Sequence, residues 1–170
     1  MVEPAQLLKD HILGVAHVGF VVPDLQAAVA NAMRVYGLTR DDITYVPAVG
    51  QEPPGEEPPG EEVLTRFAFY TVGDLEFELI EPCSEHFRQL LLNMPSGGAG
   101  INHVAWRVDD IDAAVALLAR YDIYPGHVTP DGVVAIGPKK MVYLDPATTA
   151  GLVIELIEFV ACAAGNASVD

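Results

Sequence analysis

Four side chains have the types and spacing that a divalent metal centre requires: His17, Glu78, His103 and Glu155. Two imidazoles and two carboxylates suit a first-row ion such as Co, Mn, Ni, Zn or Fe, with positions left open for a substrate. They stand out because they form two pairs in register. A shift of 86 residues lays HVGFVVPDLQAAVA, from His17, on HVAWRVDDIDAAVA, from His103, with eight identities in fourteen positions. Aligning ELIE with ELIE puts Glu78 on Glu155 and Glu81 on Glu158. Each copy therefore offers a histidine early in its first strand and a glutamate in the middle of its last. A lone histidine on an apolar strand is more often a core residue, and a lone glutamate can face solvent. The same pair occurring twice argues for function. An unpaired charge at Glu155, between Ile154 and Leu156, would be costly to bury. Glu81 and Glu158, three residues further on, fall on the opposite face. His11, His86 and His127 have no counterpart in the repeat and read as surface residues.

The elements that carry these residues follow from pattern and punctuation. An internal repeat dictates the architecture before any single element does. Ile12 to Val22 is rich in β-branched residues and stops at Pro23, as a strand would. Asp24 then caps a helix whose buried stripe is Leu25, Ala28, Val29, Ala32, Met33 and Tyr36, and Gly37 ends it. ITYVPAV is a second strand. The tandem EPPGE that follows, within residues 50–62, cannot bury a core and reads as a solvated acidic insertion. VLTRFAFYTVG and LEFELIEP are strands joined by a Gly73-Asp74 hairpin. SEHFRQLLLNM is a short helix, and PSGGAG links the two copies. The second copy repeats the plan: a strand from Ile101 to Val108, a helix capped by Asp109 or Asp110, and closing strands in MVYLDP and LVIELIEFV. The expected fold is α+β, with two βαβββ modules (12–94 and 100–160) paired into one domain. Their curled mixed sheet would gather the four candidate ligands on one concave surface.

Composition narrows the classes of function. A chain of 170 residues that is 51% hydrophobic can bury a substantial core, which excludes disorder throughout. A net charge of −15 with nine Lys and Arg excludes nucleic acid as a partner. No apolar run reaches the roughly 20 residues of a membrane span. The N-terminus lacks signal-peptide features, so the expected location is the cytoplasm. Cys83 and Cys162 are far apart with no C-x-x-C pattern, so neither a disulfide framework nor a thiolate metal site is expected.

From Gly14 to Phe159, outside the insertion, the chain resembles the vicinal oxygen chelate superfamily, the glyoxalase, bleomycin-resistance and dioxygenase group. INHVAWRVDDIDAAVALL, VGDLEFELIEP and YLDPATTAGLVIELIE are similar to segments of methylmalonyl-CoA epimerases within it. The resemblance implies paired βαβββ modules around one divalent metal and puts the family's ligand positions on His17, Glu78, His103 and Glu155. It further implies a homodimer and proton abstraction next to a carbonyl of a small-molecule substrate such as an acyl-CoA thioester, with Glu78 and Glu155 as the catalytic carboxylates. Arg66 stands where some epimerases of this type carry a separate glutamate base, and an arginine cannot take a proton at neutral pH. Lys139 and Lys140, together with Arg66, are the expected contacts for an anionic substrate. The alternatives are a glyoxalase I-like lyase or tailoring isomerase of the same superfamily, and a non-enzymatic small-molecule binding protein.

Overall fold

Strand β1 (Ile12–Val21) shows how the molecule is layered. Its alternate residues His17, Gly19 and Val21 are buried on one side, while Phe20 packs on the other beneath a helix. This is the period-two alternation of a strand covered on both faces. A computed structural model describes residues 8–46, 65–93, 100–126 and 128–160. The acidic insertion (50–62), His127 and Cys162 lie outside the described residues.

Helix α1 (Leu25–Tyr36) begins where Asp24 accepts a hydrogen bond from the Ala27 N–H. It ends at Gly37, whose φ of 72° suits a residue without Cβ and lets its N–H bond to the Met33 carbonyl. A 3-10 turn (Arg40–Asp42) leads into β2 (Thr44–Val46), followed by β3 (Thr65–Val72) and β4 (Leu75–Pro82). Helix α2 (Glu85–Leu92), capped by Ser84, connects the halves. The second half runs β5 (Gly100–Val108), α3 (Ile111–Ala119), β6 (Val134–Ile136), β7 (Lys139–Tyr143) and β8 (Ile154–Phe159). Of the two expected caps, Asp110 serves α3, accepting from the Ala113 N–H, while Asp109 pairs with His11 at 2.9 Å.

The described strands form one eight-stranded mixed sheet in the order β2-β3-β4-β1-β5-β8-β7-β6. Within each half the first strand runs parallel to the last, β1 to β4 and β5 to β8. The halves join through antiparallel β1 and β5, and here the repeat becomes visible in the register. His17 faces Ala105 and Gly19 faces His103, two pairs that a two-fold axis between the strands exchanges. The sheet curls into a half-barrel. Helix α1 covers the convex face of the first half over Val29, Ala32 and Leu79. Helix α3 does the same for the second over Ile111, Leu118 and Leu156. A smaller cluster of Val21, Ile80 and Leu91 seats α2 against the concave side.

Glu81 and Glu158 explain part of this repeat. Each ends up on the convex face, where its carboxylate meets the first N–H of its module's helix. Glu81 Oε1 lies 3.4 Å from Leu25 N, and Glu158 Oε2 lies 3.0 Å from Ile111 N. A carboxylate there takes up a backbone donor that the helix cannot satisfy internally and complements its positive end.

Candidate metal centre

Four strands bring the four repeat-derived residues together on the concave face: His17 from β1, Glu78 from β4, His103 from β5 and Glu155 from β8. His17 Nε2 and His103 Nε2 are 3.0 Å apart. Glu78 Oε2 lies 3.4 Å from the first and 3.3 Å from the second. Glu155 Oε2 lies 3.2 and 3.1 Å from the same atoms. All four residues are buried, His103 to 1% exposure.

Buried groups this polar need partners, and their geometry says which kind. Among the described residues, Glu78 Oε2 and Glu155 Oε2 are buried without a hydrogen-bond partner. They sit at ion-pair distance from the imidazoles, yet no N–H is aimed at them. An orphaned buried carboxylate oxygen is costly. Donor atoms that share one centre explain the arrangement, since bonds of about 2.1 Å at right angles put neighbouring donors roughly 3 Å apart. His17, Glu78 and His103 form a group able to hold a metal ion. The oxygen and nitrogen donors fit a borderline first-row divalent ion better than a soft one.

Without an ion the four groups share protons. Burial, the largest influence on His17, pushes its imidazole down, but the Glu155 and Glu78 carboxylates outweigh it and bring it up to about 9. Burial pushes Glu78 up, and His103 and His17 outweigh that and hold it down at about 2. His103 is raised and Glu155 lowered, each by the same opposition of burial and partners. A cluster with this much mutual stabilisation is a candidate functional site on physical grounds.

Side chains that the repeat did not single out complete the site. Asn102 Oδ1 accepts from His103 Nδ1 at 2.9 Å, which leaves Nε2 with its lone pair facing the other three groups. Asn102 reaches inward beside its neighbour because the β1–β5 register skips it. His103 pairs with Gly19 and Ile101 with Phe20, a bulge that re-aims a side chain. The register likewise skips Ala16, ahead of His17. Gly19 makes room for the His103 ring, since a Cβ on Gly19 would lie 2.2 Å from Cε1. Tyr143, buried on β7, stands edge-on to the same ring with its hydroxyl 3.4 Å from Nε2. Burial first, then the charges of Glu155 and Glu78, keep its phenol well above the ordinary range, so it remains a donor. The sequence carried faint signals for two of these: an amide just before the repeated His, and a Gly or Ala two residues after it. Tyr143 gave none.

Arg66 and Lys140 lie away from the concave face. Alternation along β7 turns Lys139 toward the cavity and Lys140 to the convex side, where it pairs with Asp112 at 2.7 Å and approaches Glu158 at 3.8 Å. Alternation along β3 likewise sends Arg66 outward to Glu81, at 3.1 Å. Of the three expected anion contacts, Lys139 is the one that lines the cavity beside the four residues.

A sequence-family model described as the glyoxalase/bleomycin resistance protein/dioxygenase superfamily matches residues 16–136, which include His17, Glu78 and His103. The chain belongs to this superfamily. Solved structures share the fold. A methylmalonyl-CoA epimerase from Mycobacterium tuberculosis superposes with a TM-score of 0.63 at 22% identity, over 93% of this chain and 92% of that one. A Streptomyces coelicolor methylmalonyl-CoA epimerase variant in complex with 2-nitronate-propionyl-CoA gives 0.59 at 20% identity, over 88% and 96%. A methylmalonyl-CoA epimerase in complex with methylmalonyl-CoA and NH4+ gives 0.60 at 20%, over the same shares. No curated protein matches the chain in sequence. At this identity the likeness establishes the glyoxalase-superfamily fold, and the chemistry has to be argued from the site. No helix among the described residues is long and apolar enough to cross a membrane.

Proposed function

We propose that this protein is a metal-dependent epimerase or racemase that moves a proton at the carbon next to a carbonyl, with an acyl-CoA thioester or a related 2-substituted acid derivative as substrate. His17, Glu78, His103 and Glu155 would hold the ion. The observation that carries the reading is the symmetric placement of Glu78 and Glu155, on β4 and β8, either side of the paired histidines. An epimerase needs a proton acceptor on one face of the substrate and a donor on the other.

A divalent ion in this site supplies Lewis-acid polarisation of the carbonyl oxygen. The protein's own side chains do the rest. One glutamate, in its ionised form, accepts the α-proton, and the electron pair of the broken C–H bond moves toward the carbonyl oxygen. The other glutamate, which the site holds ionised and which must first take up a proton, returns that proton to the opposite face. The Tyr143 O–H is a donor available to the oxygen on which charge develops. Asn102 holds the His103 ring in the required tautomer, and Lys139 meets the anionic part of the substrate.

A glyoxalase-like lyase would use the same two carboxylates, so isotope exchange is the discriminating experiment. The loaded protein is incubated in deuterated buffer with methylmalonyl-CoA and with 2-methylacyl-CoA thioesters bearing longer chains. The proposal expects deuterium at the α-carbon with loss of configuration. Thioesters that keep both hydrogen and configuration would overturn it. The reading includes a homodimer and a cytoplasmic location, which sedimentation and cell fractionation test.

A further inference from the structure

The cavity beside the four residues has a volume of about 290 Å³, near the lower end for ligand pockets and room for about ten non-hydrogen atoms at roughly 30 Å³ each. The two-fold repeat that places the cluster is broken in the cavity walls. Phe69 and Tyr143 occupy equivalent places, paired with Glu78 and Glu155 in their neighbouring strands. Each sets its ring edge-on to a histidine, Phe69 against His17 at 6.0 Å between centres and Tyr143 against His103 at 5.2 Å. The pairings that link β3 to β7 through β4, β1, β5 and β8 make those two strands antiparallel. The residues behind Phe69 and those behind Tyr143 therefore lead to opposite ends of the cavity.

The two ends differ in chemistry. Behind Tyr143 on the inward face of β7 come Met141 and Lys139, so that wall offers a hydroxyl, a thioether and an ammonium. Behind Phe69 comes Phe67, its ring stacked on that of Phe69 at 6.5 Å and 21°. Phe67 pairs with Ile80 across the β3–β4 ladder and packs against the cluster that Ile80 forms with Leu91 of α2. Phe87, one turn before Leu91 on that helix, lines the same cavity. Thr65, the next inward residue of β3, adds one hydroxyl. Beyond the cluster, the charged lining residue among those described is Lys139, at the other end. A carboxylate or a polyhydroxylated group placed among the phenylalanines would lose its water and gain too few partners. A compact hydrocarbon group would gain their buried surface and ring contacts.

We infer that the α-carbon of the substrate carries a compact apolar group, of aromatic or branched-alkyl size, which Phe67, Phe69 and Phe87 receive at the first-half end. The inference rests on the metal-dependent proton transfer proposed above and deepens it by naming what the α-carbon bears. It also sets one orientation, with the apolar substituent toward β3 and α2 and the anionic part toward Lys139.

Acetohydroxamate and benzohydroxamate test it by titration into the Co(II)-loaded protein, followed by the visible bands of the ion. They share one chelating head, and benzohydroxamate has about the ten non-hydrogen atoms that the cavity admits. Each buried methylene is worth about fourfold in affinity, so burial of the ring should make benzohydroxamate bind at least about tenfold tighter. Phe67→Ala should cut that gain about fivefold or more and leave acetohydroxamate binding unchanged. Phe87→Ala, at a half-buried helix position, should act in the same direction with less demand on the fold. Met141→Ala, at the opposite end, should leave the gain intact. Equal binding of the two probes would overturn the inference. A gain that survives both phenylalanine variants, or that is lost in Met141→Ala, would overturn it as well. Failure to take up Co(II) at all would instead remove the metal centre, and this inference with it.

Discussion

Gly19 stands opposite His103 in the β1–β5 ladder, and the ring occupies the space where a side chain would be. In Gly19→Ala the methyl must displace a ring already fixed by Asn102 and Tyr143. Metal affinity should fall roughly ten- to a hundredfold, the range found when outer partners of a ligand are disturbed. A competition titration with a chelating dye measures it, and an unchanged constant would show that the ring relocates freely. The protonation of the cluster gives a second expectation. In the metal-free protein His17 is raised to about 9, so its contribution to stability is complete below the ordinary 6.5 and lost as pH rises through 9. Glu78 is held at about 2, so its contribution is complete above 4.5 and lost as pH falls through 2. The metal-free protein should therefore melt highest between about pH 4.5 and 6.5 and weaken toward pH 9. The loaded protein needs deprotonated ligands and should gain over that same upper range. Calorimetry should show the difference in melting temperature between the two forms widening from pH 6.5 to 9. A difference independent of pH would mean that these side chains do not exchange protons for metal.

At the scale of elements, the four candidate ligands were legible because each sits at an equivalent place in a strand and because the two halves kept similar sequences there. The helix caps were legible too. Asp24 and Asp110 occupy the same position in the repeat and make the same hydrogen bond, to the N–H three residues on. Asp110→Ala should cost about 1 kcal/mol of unfolding free energy while leaving metal stoichiometry unchanged, as a denaturant titration with metal analysis would show. What the sequence hid were relationships between strands. Lys139 and Lys140 look equivalent in a row of residues, but a strand sends them to opposite faces. Arg66 stands where some epimerases carry a base, yet its side chain follows β3 outward to Glu81. The bulge at Asn102 depends on the register against β1, which no local pattern encodes. Tyr143 is an ordinary strand aromatic until the β7–β8 pairing sets it beside Glu155.

The described residues form two copies of one plan joined along β1 and β5, with the candidate metal centre at the seam. That join explains why single residues alternate in role across the axis: each histidine faces a Gly or Ala of the other copy, and each glutamate lies one strand outside a histidine. It also explains why the site can be buried and charged at once, since every group in it is balanced by one from the other half. The central claim is that these four side chains converge on a metal ion, and the direct test is the metal content of the purified protein by plasma mass spectrometry. The expected result is one divalent ion per chain in the wild type, lost in both His17→Ala and His103→Ala. A wild-type protein that holds no ion after Co, Mn, Ni, Zn or Fe has been supplied would contradict it and leave a small-molecule binding protein on a glyoxalase-superfamily fold.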